Sequence, residues 1–230
     1  MTVIGISQSN YIPWKGYFDF INDCDIFVFL DDVQYTKGDW RNRNLIKTNY
    51  GLKWLTIPVG NNINRKIFEV TPINNNWVEH HQKSIQMSYA GCKYYKDFKF
   101  LIDKIYKANK YNSLSELNQR SISLICEFLK IKTLLIDSRD IKKSSDKNQR
   151  LIDIIKHFNC KNYISGPTAK NYLDKNLFDS NGINIFWKEY LNYPEYKQRF
   201  EGFFHNVTIL DLIFNTGPKS DFYVYNWRKE

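Results

Sequence analysis

The rhythm of apolar and polar positions changes repeatedly along the chain, and each change predicts an element. "TVIGIS" (2–7) is a short β-rich run, and "GYFDFIND" (16–23) sets Phe18 and Ile21 at helical spacing with Tyr17 and Phe20 beside them. "DIFVFL" (25–30) is continuously apolar, as a strand covered on both faces would be. Strand, helix and strand within thirty residues predict a βαβ opening with parallel neighbours. Polar and aromatic residues then alternate through 31–48, before "LKWLTIPV" (52–59) reads as a strand and 60–64 as a Gly/Asn loop, so this part looks like an excursion from the sheet.

Helical periodicity follows over 75–91, 95–109 and 113–131, the last opening with Ser113 and Glu116 in capping-box spacing. The α/β rhythm returns with strands at 132–138 and 161–166 around a capped helix at 144–159, then an edge or last strand at 183–190 and a helix at 206–217 with a glycine stop. The pattern predicts an α/β fold, a Rossmann-like parallel sheet with flanking helices and a helical insertion. A single domain spans 1–230, with 76–131 as a helical layer between the opening and the later strands.

Composition narrows the class. The 230 residues are 43% hydrophobic and 17% aromatic, enough for a full core. No apolar run approaches a membrane span and the N-terminus lacks a signal-peptide layout, so the expected location is cytoplasmic. Cys24, Cys92, Cys126 and Cys160 form no C-x-x-C and read as reduced core residues; His80 and His81 are adjacent and point apart on a helix. Neither pattern predicts a metal. Of the net charge of +9, residues 93–175 hold 18 Lys/Arg against 9 Asp/Glu, the entire excess. Lysines on outer helix faces explain it as a solvated surface; the alternative is a surface that attracts phosphates.

In open parallel sheets, ligands bind beyond the carboxyl ends of the strands. Three unusual segments occupy such positions. In "SQSNYIPWKGYF", Gln8, Asn10, Tyr11, Trp14 and Gly16 crowd the exit of the first strand. The layout resembles the H-x-G-H turn of nucleotidylyltransferases, with Trp14 and Tyr17 in the histidine positions, and Gly16 would let backbone approach a ligand. The alternative is an aromatic plug. "LDDVQYTKGDWRNRNLIK" supplies Asp31 and Asp32, of which one would enter the cleft as a general base or hold a divalent ion, together with Gln34, Lys37, Trp40, Arg41, Asn42, Arg43 and Lys47. Arg41 and Arg43 could grip a diphosphate, against the alternative of a surface salt-bridge loop. "ISGPTAK" brings Ser165, Gly166, Pro167, Thr168 and Lys170 to the start of a helix, as an anion cradle or a plain cap. No nucleophile elbow surrounds Ser165.

Together, "QSNYIPWKGYF", "FVFLDDVQYTKGDWRNRNLIKT", "WLTIPV", "YISGPTAKNYL" and "PEYKQRF…VTILDLIFNTGP" resemble the WbqC-like family of bacterial surface-polysaccharide gene clusters, in order and over nearly the whole chain. Gln8, Pro13, Trp14, Asp31, Asp32, Arg43, Ser165, Asp211 and Gly217 are among the matching positions, while Ser7 stands where the family commonly has histidine. The resemblance implies a role in O-antigen assembly, with glycyl or other acyl transfer to an amino sugar. On that reading Asp31, Asp32, Gln8 and Lys37 are the catalytic candidates and a nucleotide-linked sugar is the partner. ATP or an activated acyl or aminoacyl donor would be the co-reactant, and a tRNA donor has no supporting feature. The other readings are an ATP-dependent, carboxylate-adenylating amide ligase and a non-catalytic scaffold.

Overall fold

A computed structural model describes residues 2–106 and 111–229. The chain enters through β1 (Val3–Ser7), α1 (Lys15–Asn22) and β2 (Ile26–Phe29), then leaves the sheet for the hairpin β3 (Arg43–Thr48) and β4 (Gly51–Thr56). Helices α2 (Asn76–Tyr89), α3 (Tyr95–Phe98), α4 (Phe100–Tyr106) and α5 (Leu114–Phe128) come next. Then follow β5 (Leu134–Asp137), α6 (Lys147–His157), β6 (Asn162–Ser165), α7 (Lys175–Ser180), β7 (Asn184–Trp187), α8 (Ile209–Thr216) and α9 (Ser220–Val224).

Five strands form one sheet in the order β5-β2-β1-β6-β7, every neighbouring pair parallel. The chain first grows the sheet outward from β1 through β2 to β5, then returns to the other side of β1 for β6 and β7. This is the order of a Rossmann-like half, with its reversal between β1 and β6. Register aligns Ser7 with Phe29, Phe29 with Asp137, and Ser165 with Trp187, so the carboxyl ends share one edge.

Alternation of side chains along each strand feeds two cores. Phe27 and Phe29 join the cluster containing Phe18 of α1, Ile122 of α5 and Leu212 of α8. Ile4, Ile6 and Val28 join Ile152 and Ile155 of α6 and Phe178 of α7 on the opposite face. Both faces are covered, which is why β2 reads as an unbroken apolar run. Ser113 caps α5 by accepting from the Glu116 N–H at 3.2 Å, and Asp146 caps α6 through the N–H groups of Asn148 and Gln149, both at 2.9 Å. All four cysteines are free and buried.

Three local expectations change. The strand expected at 52–59 is half of an antiparallel hairpin in a sheet of its own, because Arg43–Thr48 pairs with Gly51–Thr56. The expected helix at 95–109 is divided into α3 and α4, and its residues 107–109 lie outside the described residues. The segment after β6 is a short 3-10 turn, Pro167–Asn171, in place of an α-helix.

A buried charge cluster ties the far edge of the sheet to the end of the chain. Lys188, directly after β7, places its Nζ 2.6 Å from Asp19 and 2.5 Å from Asp23 of the α1 region, and Arg228 reaches the same carboxylates at 2.5 and 2.6 Å. Tyr193 donates to Asp19 at 2.5 Å. Removing Lys188 leaves two carboxylates, one of them fully buried, to share the partly exposed Arg228, at a cost of about 3 kcal/mol. Lys188→Met is therefore expected to lower the unfolding free energy by about 3 kcal/mol in urea titration. Adding Asp19→Asn to it should restore part of the loss; a double variant less stable than Lys188→Met would show that the pairing is not what stabilises this edge.

Candidate functional site

The site is built outward from Asp31, which follows β2 and is fully buried, with 0% exposure. Ser9, just past β1, donates its backbone N–H to Asp31 Oδ1 at 2.8 Å. From α5, Ser115 donates its hydroxyl to Asp31 Oδ2 at 2.5 Å and Gln119 its amide at 3.0 Å. The Gln119 amide also reaches Asp137, the last residue of β5, at 3.0 Å. A carboxylate removed from water must be met by donors, and here the donors come from the β1 exit and α5. The carboxyl ends of three adjacent strands are held in one frame.

On that frame the β1 exit and the 38–43 loop meet. Arg41 donates to Asn10 Oδ1 at 3.0 Å and to Gln8 Oε1 at 2.9 Å, with Asp39 at 3.5 Å. Asn118 donates to the Arg41 carbonyl at 2.8 Å, and the Tyr11 N–H to the Trp40 carbonyl at 2.9 Å. Beside this group the Arg43 guanidinium lies 4.2 Å from the ring of Trp54, which packs at 5.3 Å on Trp40. Both indoles are about two-fifths exposed, at 39% for Trp40 and 41% for Trp54. Arg41 Nε, Arg43 Nε, Tyr35 Oη and Asn118 Oδ1 are buried and lack a hydrogen-bond partner among the described residues. Buried polar atoms without partners are costly, and they concentrate around this loop.

Asp32 behaves differently from Asp31. Its carboxylate accepts from Ser138 at 2.7 Å and from Lys143 at 2.8 Å, and it keeps a path to solvent. Burial opposes its charge, but the hydrogen bonds from Lys143 and Ser138 outweigh that and hold the carboxyl below the ordinary range. Lys143 belongs to the basic stretch, where Lys142, Lys156 and His157 line an open depression of about 660 Å³ beside α6.

Several expected site residues are occupied elsewhere. Trp14 packs against Tyr190 and Tyr193, at 5.4 and 5.9 Å between rings. A Cβ on Gly16 would fall inside the Trp14 indole, so this glycine makes room for its own neighbour and not for a ligand. Tyr17 donates to the Gln8 carbonyl at 2.9 Å. Positions 14 and 17 thus close the β1 exit from within. Tyr11 is buried, its hydroxyl bonded to His81 and Tyr106. Asn42 is buried and donates to the Ile57 carbonyl at 2.9 Å. Lys47, named among the candidate site residues, is 1% exposed and spends its ammonium on the carbonyls of Phe200 and Gly202. Gln34 lies on the surface at 3.5 Å from the Ile63 carbonyl, and Lys37 is exposed on the same excursion.

The turn after β6 sits on the same edge, alongside the β1 exit, because β6 is the neighbour of β1 and Gly5 pairs with Ile164. Ser165 is buried and receives the Tyr163 hydroxyl at 3.2 Å, Gly166 is half-buried, Pro167 and Thr168 are exposed, and Lys170 lies 5.6 Å over the ring of Trp187. Among the described residues, no hydrogen bond or ion pair joins this turn to the Gln8–Arg41 group. Sequence reading missed Ser115, Asn118 and Gln119. The available signal was a run of polar residues at helical spacing on a face of α5 that otherwise goes inward, next to Leu114 and Leu117. Trp54 was read only as part of a strand.

The model of the WbqC-like protein family matches residues 8–222, which include every residue of this frame. The chain is similar to the uncharacterized protein Rv1507c of Mycobacterium tuberculosis, with 39% identity over 226 residues that cover 97% of this chain and 98% of that protein. No solved structure matches the chain.

Two buried groups next to the reassigned residues make opposite contributions to pH stability. Burial, then the charges of His80 and Lys53, push His81 down to about 4, so its contribution is full above pH 6.5 and is lost as pH falls toward 4. Burial raises Asp211 to about 6 against hydrogen bonds from Tyr196, Tyr89 and Gln198; its contribution is full below pH 3.8 and is lost as pH rises through 6. Each amounts to about 3 kcal/mol across its window, so in the native chain the two nearly cancel. Asp211→Asn should unmask the histidine, with stability falling by about 2–3 kcal/mol between pH 7 and 4.5 in urea titrations. His81→Asn should show the reverse slope.

Proposed function

The chain belongs to the WbqC-like protein family, and on that premise we propose that it modifies a nucleotide-activated amino sugar by N-acyl or aminoacyl transfer during surface-polysaccharide assembly. The observation that carries the reading is the Arg41–Arg43 loop. The Arg43 guanidinium lies 4.2 Å from the ring of Trp54, and Trp54 with Trp40 forms an exposed pair of indoles beside the Arg41 group at the carboxyl edge of a parallel sheet. Guanidinium groups suit a diphosphate, and an exposed aromatic face suits a base or sugar ring.

In this reading Arg41 and Arg43 hold the diphosphate and Trp40 with Trp54 packs on the base or sugar, a role Trp14 is too enclosed to take. The sugar amine attacks the acyl carbonyl carbon, the new C–N bond forms, and the donor's leaving group departs with the bonding pair. The amine proton passes to Asp32. Asp31 has all its donors inside the frame and no path to a ligand, so it positions the loop, whereas Asp32 keeps unused lone pairs and reaches solvent. The adenylating alternative needs two phosphate-binding groups where Trp14 and Tyr17 are packed, which favours transfer from a donor already activated.

Incubation with UDP- or dTDP-linked amino sugars and acyl or aminoacyl donors is expected to yield a product heavier by the acyl unit. Arg43→Ala should weaken nucleotide-sugar binding by about tenfold or more, the loss of a charge-assisted hydrogen bond. Asp32→Asn should lower turnover by about 100-fold or more with binding retained. No mass gain across the panel, or full activity in both variants, would overturn the proposal.

A further inference from the structure

Residues 40–68 hold Arg41, Arg43, Lys47, Lys53, Arg65 and Lys66 and no Asp or Glu. Among the described residues, Arg41 alone of these six forms an ion pair, with Asp39. Asp211 acts on the buried Lys47 from beneath the hairpin, and the exposed Lys53 has only the Ser84 hydroxyl, at 3.1 Å. The excursion therefore carries positive charge that its own chain does not oppose.

The same excursion displays apolar surface. Of the twelve exposed large hydrophobic side chains among the described residues, Trp40, Tyr50, Leu52 and Trp54 fall within fifteen consecutive positions, a concentration where single scattered residues would be ordinary. Alternation puts Leu52 and Trp54 on one face of β4, and register sets Lys47 and Leu45 beside them on β3. The β3 half of that face is buried, and Lys47 is tied to the 200–202 segment. The β4 half stays open. Beyond Leu52 the hairpin turn ends the strip with Tyr50, which at 94% is the most exposed of the twelve.

We propose that the tip of this hairpin docks on an anionic phospholipid surface, with Tyr50 and Leu52 entering the headgroup layer and Lys53 facing its phosphates. Tyrosine and tryptophan rings suit the half-wet interface of a bilayer, and unopposed cations are drawn to its anionic lipids. A single-stranded nucleic acid would use aromatic faces along a groove, whereas this strip protrudes and contains Leu52. Trp40 and Trp54 lie at the other end of the strip, beside Arg43. The proposal is independent of the nucleotide-sugar reading, since Tyr50, Leu52 and Lys53 make no hydrogen bond to the Arg41 group.

The test is sedimentation of the full chain at low salt with vesicles of phosphatidylglycerol and phosphatidylcholine in equal parts, against vesicles of phosphatidylcholine alone. The mixed vesicles should bind about tenfold or more tightly than the neutral ones, and added salt should weaken that binding. Tyr50→Ser combined with Leu52→Ser should weaken it about tenfold, the loss of apolar surface placed in the headgroup layer. Lys53→Ser should weaken it about fivefold, while Lys142→Ser, which removes the same charge from the depression beside α6, should stay within about twofold of native. All four side chains are exposed, so each variant should keep the native circular dichroism. No sedimentation with the mixed vesicles, equal binding to the neutral ones, or undiminished binding in the hairpin variants would each overturn the proposal. A single-stranded RNA oligomer bound more tightly than the vesicles, and lost with the same variants, would assign the tip to nucleic acid and overturn it too.

Discussion

Asp31 carries its carboxylate at the carboxyl end of the second strand with no access to water, a position where an unmatched charge costs several kcal/mol, so the chain must bring donors to it. It brings a backbone N–H from the exit of β1 and side chains from α5, and through Gln119 it reaches the end of β5. The β1 exit can therefore follow only one path past this edge. That path delivers Gln8 and Asn10 to the Arg41 guanidinium, and Arg41 in turn fixes the loop that displays Trp40 and Arg43. The exposed chemistry depends on a carboxylate that touches none of it.

The two halves of the sheet edge are built for different tasks. On the β5-β2-β1 side, polar side chains converge and some keep unmet hydrogen-bonding capacity. On the β6-β7 side, Trp14 closes over Gly16 against Tyr190 and Tyr193, and Lys188 and Arg228 neutralise Asp19 and Asp23. The reversal of strand order between β1 and β6 marks where ligands gather in such sheets. Here the side toward β2 carries the convergent polar and charged groups, while the other side is closed by aromatic packing and paired charges.

What could be read in advance follows from how local each signal is. β1, α1 and β2 were legible because strands covered on both faces write themselves as apolar runs, and Asp31 with Asp32 was legible as a pair at a strand end. Which of the two is buried depends on α5, more than eighty residues away in the chain, and no local pattern records it. β3 was hidden because Asn44 and Lys47 look like loop residues, yet both are buried with their polar atoms bonded to the Tyr11 and Ile12 carbonyls and to the 200–202 segment. Gly16 misled in the opposite way: a glycine after a strand suits a ligand or a neighbouring indole equally, and only packing decides.

Hydrogen–deuterium exchange of Asp31→Asn against the native chain tests the frame most directly. The amide would turn one accepting oxygen into a donor facing the donor on Gln119, and flipping Gln119 would set its oxygen against Asp137. The account predicts faster exchange at residues 8–11, 38–43 and 115–119 with β6 and β7 unchanged. Native exchange rates in all three segments would show that Asp31 does not hold this edge together.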